Sequence, residues 1–505
     1  MQQLVPLRLA LIDVSNDFTV VGVGVAHNMI QLPIGLMGIS SYLKANLTAQ
    51  QLDLRIIDAA LDAPDYDALL AMLRQYEPQV VGIRALSHTN HQFHELAGRI
   101  KRWRSTVLVV GGGPYAAASP DLIIEDTNFD VVCRGEGEQV MLELLQVLLQ
   151  DPRSRDFALI QGITYRTAPS DSCSGGAIQR NPDRAFFTDL DALPVPDYRA
   201  IELHRYSTRH AFTSILRPYG ILVTSRGCPF HCVYCHSLFG KRFRGRSPSS
   251  VIEEIRYVHR EFGLANFMII DDVFNFDLPR AKEILRGLVS LQLDLRLFFP
   301  NGLRGDIIDE EFLDLLVEAG TVELVFAIES ATARIQKLIR KKIDLDRVER
   351  SLISAAQREM VVNAFFMIGF PTETLEEVDR TVDMAIRLID HIHFPYVGIV
   401  RAYHGSALYQ IALDHGYSEK WLLKHALMPY GTQESIRYEY NFLPNDQLQK
   451  ARTRLALAFR NEARTERLLA IQRRLFTEEE LVVKYATCFG STIRIAELFL
   501  QQFPR

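Results

Sequence analysis

Residues 226–237 read RGCPFHCVYCHS and hold three cysteines within eight positions. These residues, Cys228, Cys232 and Cys235, follow the spacing C-x3-C-x2-C and are half of the six cysteines in the chain. A cubic [4Fe–4S] cluster is normally held by four cysteine thiolates, one on each iron. Three thiolates on one short loop would leave one iron open to a small molecule. The spacing therefore predicts an iron–sulfur cluster with an open iron.

Two other interpretations of this loop stay open. A structural zinc site takes four ligands, and His231 or His236 could complete one beside the cysteines. The spacing matches none of the common zinc patterns, however. The cysteines could also be unrelated buried residues, which the neighbouring glycine and proline disfavour.

Length, composition and charge are those of an ordinary globular protein. The 505 residues exceed what one hydrophobic core supports and predict two or three domains. Hydrophobic residues make up 48% of the chain, charged residues 23%, and the formal net charge is −5. This charge balance gives no electrostatic footprint for nucleic acid or for an anionic membrane, so we expect neither as a partner.

The expected location is the cytoplasm. The N-terminus MQQLVPLRLALIDVSNDF has no basic start, and Asp13 interrupts its apolar run, so it is no signal peptide. No run of about 18 uncharged apolar residues predicts a transmembrane helix. Cys133, Cys173 and Cys488 are scattered and form no disulfide framework. In a reducing compartment, clustered thiols are more often metal ligands than bridges.

Short apolar strands alternate with helical segments over residues 1–150. The strand candidates are PLRLALIDV, LDLRIID, QVVGIRA, TVLVVGGG and FDVVCRG. Helices of about 10 to 15 residues between such strands predict a parallel sheet covered on both faces. Five strands fit a doubly wound, flavodoxin-like or Rossmann-like α/β domain, which binds ligands beyond the carboxyl ends of its strands.

The rest of the chain predicts a linker, a second α/β domain and a helical end. Residues 151–212 are rich in Ser, Gly and Pro and predict a linker with at most a small hairpin. Residues 213–405 contain six strand–helix units, which predict a partial (β/α)6 barrel. Its strands are GILVTS, NFMIID, DLRLFFP, VELVFAI, VVNAFFMI and HIHFPYVGIV. Residues 406–505 have the amphipathic spacing of helices with a basic polar face, which fits a lid, a surface for an acidic carrier protein, or a solvated face.

Polar or turn-forming residues follow every strand of the predicted barrel, at the rim where such barrels carry their active sites. They are the cysteine loop; Asp271 and Asp272; Asn301 and Arg304; Glu329 and Ser330; Gly369 to Thr374; and Arg401, Tyr403 and His404. Polar residues scattered over a surface would not gather at one rim. Their one-sidedness predicts an active site there.

The segment CPFHCVYC, residues 228–235, resembles the signature of the radical S-adenosylmethionine (SAM) superfamily. Successive barrel segments of that superfamily resemble IIDDVFNFD, NGLRGDIIDEEFLDLLVEAG, VELVFAIES and FFMIGFPTET. The first half resembles the cobalamin-binding domain of one large subgroup, in the segments LPIGLMGISSYLK, VVGIRALSHT, VVGGGPYAAASP and VCRGEGE. The resemblance covers about residues 5–405 and is loose beyond them.

The resemblance implies roles for the rim residues. The three cysteines would ligate the cluster, and the amino and carboxylate groups of SAM would bind its fourth iron. The further cofactor contacts it implies are Tyr234 near the adenine; Asp271 and Asp272 at the SAM amino group or beneath the cluster loop; Asn301 and Arg304; Glu329 and Ser330 at the ribose or amino-acid part; and the backbone of Ile368, Gly369 and Phe370 at the adenine. Structural alternatives stay open: Asp272 could cap a turn, Glu329 could pair with Arg304, and Gly369–Pro371 could be only a tight turn.

Cobalamin is the other cofactor that the resemblance implies. Many cobalamin domains carry D-x-H-x-x-G, whose histidine binds cobalt from below, but here His27 lacks the aspartate. The subgroup often binds cobalamin base-off without that histidine, so the lower ligand stays open. The residues that suit the nucleotide tail and its phosphate are Ser87, Thr89, Gly111, Gly112 and Gly113. The alternative is a domain that has lost its cofactor.

A radical C-methyltransferase is the activity that the resemblance implies. SAM cleavage at the cluster would give a 5′-deoxyadenosyl radical that removes a hydrogen atom from an unactivated carbon, and methylcobalamin would supply the methyl group. The substrate would be a small metabolite or a carrier-bound intermediate, and the electron would come from a donor such as flavodoxin or ferredoxin. Arg401, Tyr403 and His404 would face the substrate, or they would form a packed turn.

Two other functions stay open. A ring-rearranging or cyclising enzyme would use the same cofactors without methyl transfer, and no feature of the sequence separates it from a methyltransferase. A non-catalytic SAM- or cobalamin-binding sensor would not need an open iron.

Each of the substitutions Cys228→Ala, Cys232→Ala and Cys235→Ala is expected to lose the cluster, because each thiolate holds a different iron. Iron and acid-labile sulfide after anaerobic reconstitution give the measurement. The control substitutions to alanine, which should keep the cluster, are at Cys133, Cys173 and Cys488. About four irons per chain in the variant that lacks all three loop cysteines would contradict the assignment.

Overall fold

The computed structural model describes most of the chain. The described residues are 6–16, 31–167, 176–206, 208–209, 214–215, 217–236, 238–428, 441–459 and 461–481. His27, Cys173 and Cys488 lie outside them.

The first sheet has seven strands. In the order in which they pair, they are β2 (Leu52–Asp58), β1 (Leu7–Asp13), β3 (Val80–Arg84), β4 (Leu108–Gly112), β5 (Val131–Cys133), β6 (Ile163–Arg166) and β7 (Ile178–Arg180). The strands β1 to β5 run parallel, and β6 and β7 are antiparallel. The order 2-1-3-4-5 is that of a flavodoxin-like sheet, so this prediction is confirmed.

Strand β1 explains why this sheet needs helices on both faces. Ala10 and Ile12 belong to one hydrophobic core, whereas Leu9 and Leu11 belong to another. All four side chains are buried, because successive side chains of a strand point to opposite faces. The helices of this half are α1 (Ile34–Asn46), α2 (Ala59–Asp62), α3 (Tyr66–Tyr76), α4 (Asn90–Trp103), α5 (Gly113–Ala118), α6 (Pro120–Glu125) and α7 (Gly137–Gln150).

Residues 163–180 lie within the segment that we predicted as a linker. Strands β6 and β7 nevertheless extend the first sheet beyond β5. Ile163 and Tyr165 of β6 are buried in the core that β1 shares, whereas β7 is exposed along its length. The predicted small hairpin is therefore part of the sheet, and the division of the chain at residues 150, 212 and 405 stays a prediction.

The second sheet has six parallel strands, paired in chain order, and confirms the predicted partial barrel. They are β10 (Tyr219–Leu222), β13 (Asn266–Ile269), β14 (Arg296–Leu303), β15 (Thr321–Glu329), β16 (Val361–Ile368) and β17 (Phe394–Ile399). Its helices are α8 (Pro248–Phe262), α9 (Leu278–Ser290), α10 (Glu310–Glu318), α11 (Ala333–Leu338), α12 (Leu345–Gln357) and α13 (Leu375–Arg387). Two small hairpins pair β8 (Thr208–Arg209) with β9 (Ser214–Ile215) and β11 (Ser225–Arg226) with β12 (Arg244–Gly245).

Four described helices follow the barrel, as the amphipathic spacing predicts. They are α14 (Ala407–Asp414), α15 (Glu419–Leu427), α16 (Asn445–Phe459) and α17 (Glu462–Leu475). Leu448 and Phe459 of α16 join the core of the barrel. Leu408 and Leu422 join a smaller core that contains Val233 of the cysteine loop. The helical end therefore supports both the barrel and the loop. Among the described helices, none is long and apolar enough to cross a membrane.

Candidate active site

The three cysteines lie on a loop that the β11–β12 hairpin closes at its base. Arg226 and Arg244 face each other in this hairpin. Gly227 has a φ of 84°, and a Cβ atom there would lie 2.3 Å from the carbonyl oxygen of Arg242. Only glycine fits this position without strain, immediately before the first cysteine.

Val233, between the second and third cysteines, anchors the middle of the loop. Its side chain is fully buried. Its amide donates to the carbonyl oxygen of Ile339 (3.1 Å), and its own carbonyl accepts from the amide of Leu408 (2.7 Å). The cysteine side chains are partly exposed, Cys235 most of all. An anchored loop thus presents three accessible thiols.

The zinc alternative requires four ligands around one ion. In the part of the chain that the structure describes, no three Cys, His, Asp or Glu side chains converge as ligands of one metal ion. A cubic cluster takes each thiolate on a separate iron, so its thiols surround a larger group than a single ion. His231 and His236 therefore do not complete a zinc site in the described arrangement.

Asp271 is buried beneath the start of the loop. Its carboxylate accepts from the amide and the hydroxyl of Thr224 (2.7 and 2.5 Å) and from the hydroxyl of Ser225 (2.6 Å). Burial raises its pKa, and these hydrogen bonds oppose the rise. Asp271 therefore supports the backbone that leads into the loop, which is one of the two roles that the resemblance implies.

Asp272 and Asn301 lie next to this support. Asp272 is exposed, lines the cavity described below and accepts a hydrogen bond from the backbone of Gly227. Asn301 donates its side-chain amide to the carbonyl oxygen of Ile270 (2.6 Å). Asn301 thus braces the end of the strand that carries both aspartates.

Arg304 braces the cysteine loop from another side. Its guanidinium carbon lies 3.8 Å from the ring centroid of Phe230, a loop residue. The same guanidinium pairs with Asp306 (2.9 Å) and donates to the carbonyl oxygen of Lys342 (2.7 Å). These contacts leave the predicted alternative, a pair with Glu329, unformed in the described structure.

Glu329 takes Lys341 as its partner instead. Lys341 Nζ lies 2.7 Å from Glu329 Oε1, and the hydroxyl of Tyr234 donates to the same oxygen (3.1 Å). Both members of the ion pair are at most 10% exposed. Glu329 has a left-handed backbone (φ 70°), as do Arg340 and Lys342 on either side of Lys341. Such strain costs about 1–3 kcal/mol per residue and gathers at functional sites. Sequence reasoning missed Lys341, because the run RKK reads as a solvated surface.

Ser330 does not face the rim. It is fully buried, and its hydroxyl lies 3.3 Å from that of Thr332 and 3.4 Å from that of Thr381. These contacts stabilise the turn from β15 into α11. The predicted SAM contact at Ser330 therefore rests on its backbone position alone.

Glu373 holds the predicted adenine-binding segment Ile368–Phe370. Its carboxylate accepts from the amides of Gly369 (2.5 Å) and Phe370 (2.9 Å), and burial raises its pKa to about 7. Gly369 has a φ of 85°. The ring of Phe370 lies 6.3 Å from that of Tyr234. The segment is thus a tight turn placed against the cysteine loop. A tight turn at this place is compatible with the predicted contact between its backbone and the adenine of SAM.

The predicted substrate-facing residues divide into two groups. The ring of Tyr403 lies 5.4 Å from the ring of His236 in the cysteine loop. Arg401 donates to the carbonyl oxygen of Met428, as a packed turn would require.

His404 belongs to a contact between the two sheets' domains. Its Nδ1 lies 2.8 Å from the hydroxyl oxygen of Ser119. A Cβ atom at Gly405 would lie 2.2 Å from the carbonyl oxygen of Ala118, so the backbones meet closely there. This pairing fits a structural role, which the sequence could not reveal because it depends on how the domains dock.

A cavity of about 300 Å³ lies between the carboxyl ends of the first sheet and the base of the cysteine loop. Its glycine-rich wall contains Gly35, Gly38, Gly82, Gly112, Gly113, Gly135 and Gly137, and its opposite wall contains Ser225, Arg226, Leu238, Phe239 and Asp272. A Cβ atom at Gly35 would meet no atom within 4 Å. Cys133 also lines the cavity, and burial raises the pKa of its thiol to about 12, which keeps it neutral. Glycine backbone at the carboxyl ends of the strands lets a ligand approach closely, and the cavity beside it fits the nucleotide tail of cobalamin.

Gly112 and Gly113 are thus the predicted tail residues that line this cavity. Ser87 and Thr89 belong to a 3-10 turn, in which the Thr89 hydroxyl donates to the carbonyl oxygen of Leu86 (3.1 Å). They are not among the lining residues.

Gly111 is a packing residue. A Cβ atom there would lie 2.9 Å from the ring of Phe93. Sequence reasoning did not name Gly35 and Gly38 as cavity residues. Two glycines in the first turns of a helix that follows a strand could have indicated a place where the backbone approaches a ligand.

Comparison with known proteins identifies the family. The model of the radical SAM superfamily matches residues 222–385, and that of the B12 binding domain matches residues 30–145. An uncharacterized methyltransferase of Pyrococcus horikoshii is 31% identical over 385 residues, which are 75% of this chain and 78% of the relative. The chain belongs to the cobalamin-dependent radical SAM methyltransferase family. Its cofactors are a [4Fe–4S] cluster, SAM and cobalamin, as predicted.

Other relatives of the present chain have lower sequence identity to it. The cytidylyl-2-hydroxyethylphosphonate methyltransferase of Streptomyces wedmorensis is 28% identical over 63% of this chain and 64% of its own length. The anaerobic magnesium-protoporphyrin IX monomethyl ester cyclase of Rubrivivax gelatinosus is 25% identical over 70% and 61%. The structure of TsrM from Kitasatospora setae, with cobalamin and a [4Fe–4S] cluster bound, has a TM-score of 0.62 at 19% identity and covers 81% of this chain and 75% of its own. It shares the fold.

Four charged side chains join the two halves of this radical SAM methyltransferase. Arg226 lies 3.0 Å from Glu136 and 2.7 Å from Glu138, and Arg244 lies 2.9 Å from Glu136. All four are at most 16% exposed. The glutamates follow β5 of the first sheet, and the arginines belong to the hairpin beneath the cysteine loop. We call this network the interdomain clamp.

Glu138→Gln is expected to uncouple SAM cleavage from methyl transfer, because it weakens the interdomain clamp without touching a cysteine. The measurement is the ratio of 5′-deoxyadenosine to S-adenosylhomocysteine, which should rise severalfold, with iron content unchanged. The control is Glu143→Gln, on the same helix, whose partner is Arg184 and not an arginine of the hairpin beneath the cysteine loop. An unchanged ratio in Glu138→Gln would show that the clamp does not position the cofactors.

Lys341→Met is expected to weaken SAM binding at least about tenfold, or about 1.4 kcal/mol, because Glu329 would lose its buried countercharge. Equilibrium dialysis of SAM against the anaerobic enzyme measures this, with cluster content as a check. Lys337→Met, an exposed lysine on α11, is the control. Lys341→Arg should restore part of the affinity. Wild-type affinity in Lys341→Met would assign the pair to folding alone.

Proposed function

We propose that this enzyme transfers a methyl group to an unactivated carbon of a small molecule. The observation that carries the proposal is that residues of both domains line the same cavity. Gly112 lines it from the first sheet, and Arg226 and Asp272 line it beside the cysteine loop. A methyl donor held on the sheet and a radical formed at the barrel rim can act on one substrate if they share such a space. The relative at 31% identity is named as a methyltransferase, which supports methyl transfer.

The chain binds and orients, and its cofactors supply the reactive groups. When bound, the cluster and SAM provide the radical that removes hydrogen, and cobalamin provides the methyl group. Cys228, Cys232 and Cys235 would hold the cluster. Asp271 keeps the base of the loop in place, and Glu329 would offer SAM a carboxylate held by Lys341.

We propose Tyr403 as the substrate contact among the three residues that sequence reasoning named. Its ring packs on His236 of the cysteine loop, so the two would move together if the loop shifted. Arg401 and His404 would act by holding the turn that presents it, through Met428 and Ser119.

Partners and location follow from the reaction. A small-molecule substrate is supported by the Streptomyces wedmorensis relative, which is named for a nucleotide-linked phosphonate. A carrier-bound substrate would need the same cavity. The reaction consumes electrons from outside the chain, so a donor of the flavodoxin or ferredoxin type is part of the proposal. The cytoplasm is the proposed compartment, because it supplies the small-molecule substrate and the electron donor.

Two competing functions make different predictions. A cyclising enzyme would resemble the Rubrivivax gelatinosus cyclase, which is less similar to this chain than the Pyrococcus horikoshii and Streptomyces wedmorensis methyltransferases are. A sensor would have no use for carboxylates placed beneath three rim segments. Product analysis separates all three.

Turnover with substrate is expected to release 5′-deoxyadenosine and S-adenosylhomocysteine in a ratio near one, because one SAM is cleaved and another replaces the methyl group. Liquid chromatography with mass detection measures both products, and both should require a strong reductant. Cys232→Ala should abolish 5′-deoxyadenosine, while S-adenosylhomocysteine can persist if reduced cobalamin is supplied. Formation of 5′-deoxyadenosine without S-adenosylhomocysteine, with cobalamin and substrate present, would favour the cyclising alternative.

A further inference from the structure

An exposed aromatic side chain lies beside the cysteine loop. Phe276 is 40% exposed, although large apolar side chains are usually buried. Its ring centroid lies 5.8 Å from that of Phe230 and 5.1 Å from that of Phe243. Phe230 stands midway between Cys228 and Cys232 in the sequence. The exposed ring is therefore in contact with the cysteine loop itself.

Basic residues border this aromatic group. Lys241 donates to the carbonyl oxygen of Phe230 (3.0 Å), and Arg242 beside it is exposed. Arg340 and Lys342 are exposed as well, while Lys341 between them turns inward to Glu329. The carbonyl of Lys342 accepts from Arg304, whose guanidinium stacks on Phe230, so this segment lies against the loop.

The charges at this border are available to a partner. Among the described residues, no ion pair involves Arg242, Arg340 or Lys342. The carboxylates nearby are engaged: Asp306 pairs with Arg304, and Asp277 and Asp344 cap helices. Three exposed cations outside any described ion pair therefore border the aromatic group.

We propose that Phe276, Arg242, Arg340 and Lys342 form the docking surface for a reduced flavodoxin, and we call them the donor surface. The inference rests on the proposed radical reaction, which needs electrons from outside the chain, one of them at the cluster for each SAM that is cleaved. An aromatic centre with a cationic border complements an acidic protein that exposes the apolar edge of its flavin. Electron-transfer encounters are small and transient, so one exposed ring and three charges suffice.

The electron transfer balances without other reactants. The anionic flavin hydroquinone gives one electron to the oxidised [4Fe–4S]²⁺ cluster. The flavin becomes the neutral semiquinone, the cluster becomes [4Fe–4S]⁺, and no proton moves.

The test reverses the three charges together in the full-length holoenzyme, as Arg242→Glu/Arg340→Glu/Lys342→Glu. Binding of a purified bacterial flavodoxin is measured by biolayer interferometry at several NaCl concentrations. The dissociation constant is expected to rise at least about tenfold at low salt, and the difference should shrink near 1 M NaCl, where the screening length is about 3 Å. Phe276→Ser should weaken binding at every salt concentration. The control reverses three exposed charges elsewhere, as Arg74→Glu/Arg153→Glu/Arg256→Glu, and should bind like the wild type.

Cluster reduction provides the second measurement and needs no methyl acceptor. The rate with reduced flavodoxin should fall in the charge-reversed variant, whereas the rate with dithionite should stay unchanged. Equal losses with both reductants, unchanged binding, or an equal loss in the control variant would overturn the donor surface. So would a loss seen with an acidic ferredoxin but not with flavodoxin. Because neither measurement involves methyl transfer, failure of the methyltransferase proposal would not produce these results.

Discussion

The interdomain clamp places two glutamates and two arginines out of water at the junction of the two sheets. A buried charge without a partner is costly, and breaking such a pair typically costs about 3–5 kcal/mol. The clamp is therefore satisfied only in one arrangement of the domains. Arg226 stands two residues before Cys228, and Glu138 lies in the first turn of helix α7, which lines the cavity between the two sheets. The same hydrogen bonds thus set the distance between the cysteine loop and the first sheet.

Buried carboxylates also hold the segments at the rim of the barrel in place. Asp271 gathers three donors beneath the cysteine loop, and Glu373 gathers two amides beneath the turn at Gly369. Glu329 gathers Lys341 and the hydroxyl of Tyr234. In each case a buried or nearly buried carboxylate at a strand end orders a segment that would otherwise be a free loop. A site that must position SAM before an electron arrives benefits from such preorganisation.

The strands of both sheets were predictable because buried parallel strands read as apolar runs. Strands β6 and β7 were not assigned to the first sheet, because they lie in a segment rich in Ser, Gly and Pro, and Ile178–Arg180 is exposed and has no apolar run. The rim positions were predictable from strand ends, but their partners were not. Glu329 pairs with Lys341 rather than Arg304, and a lysine within RKK gives no sign of burial. His404 meets Ser119 of the other domain, a contact set by domain docking that no local pattern encodes.

The cysteine loop lies between the cavity and the donor surface. Arg226 and Asp272 line the cavity on one side, whereas the residues of the donor surface are absent from its walls. Phe230 carries the contact to that surface from within the loop itself. An electron delivered there would not have to cross the cavity between the two sheets, and that cavity would not have to open to a protein partner. Because water in the cavity would offer the radical an unwanted reaction path, keeping electron entry outside it favours a closed reaction space.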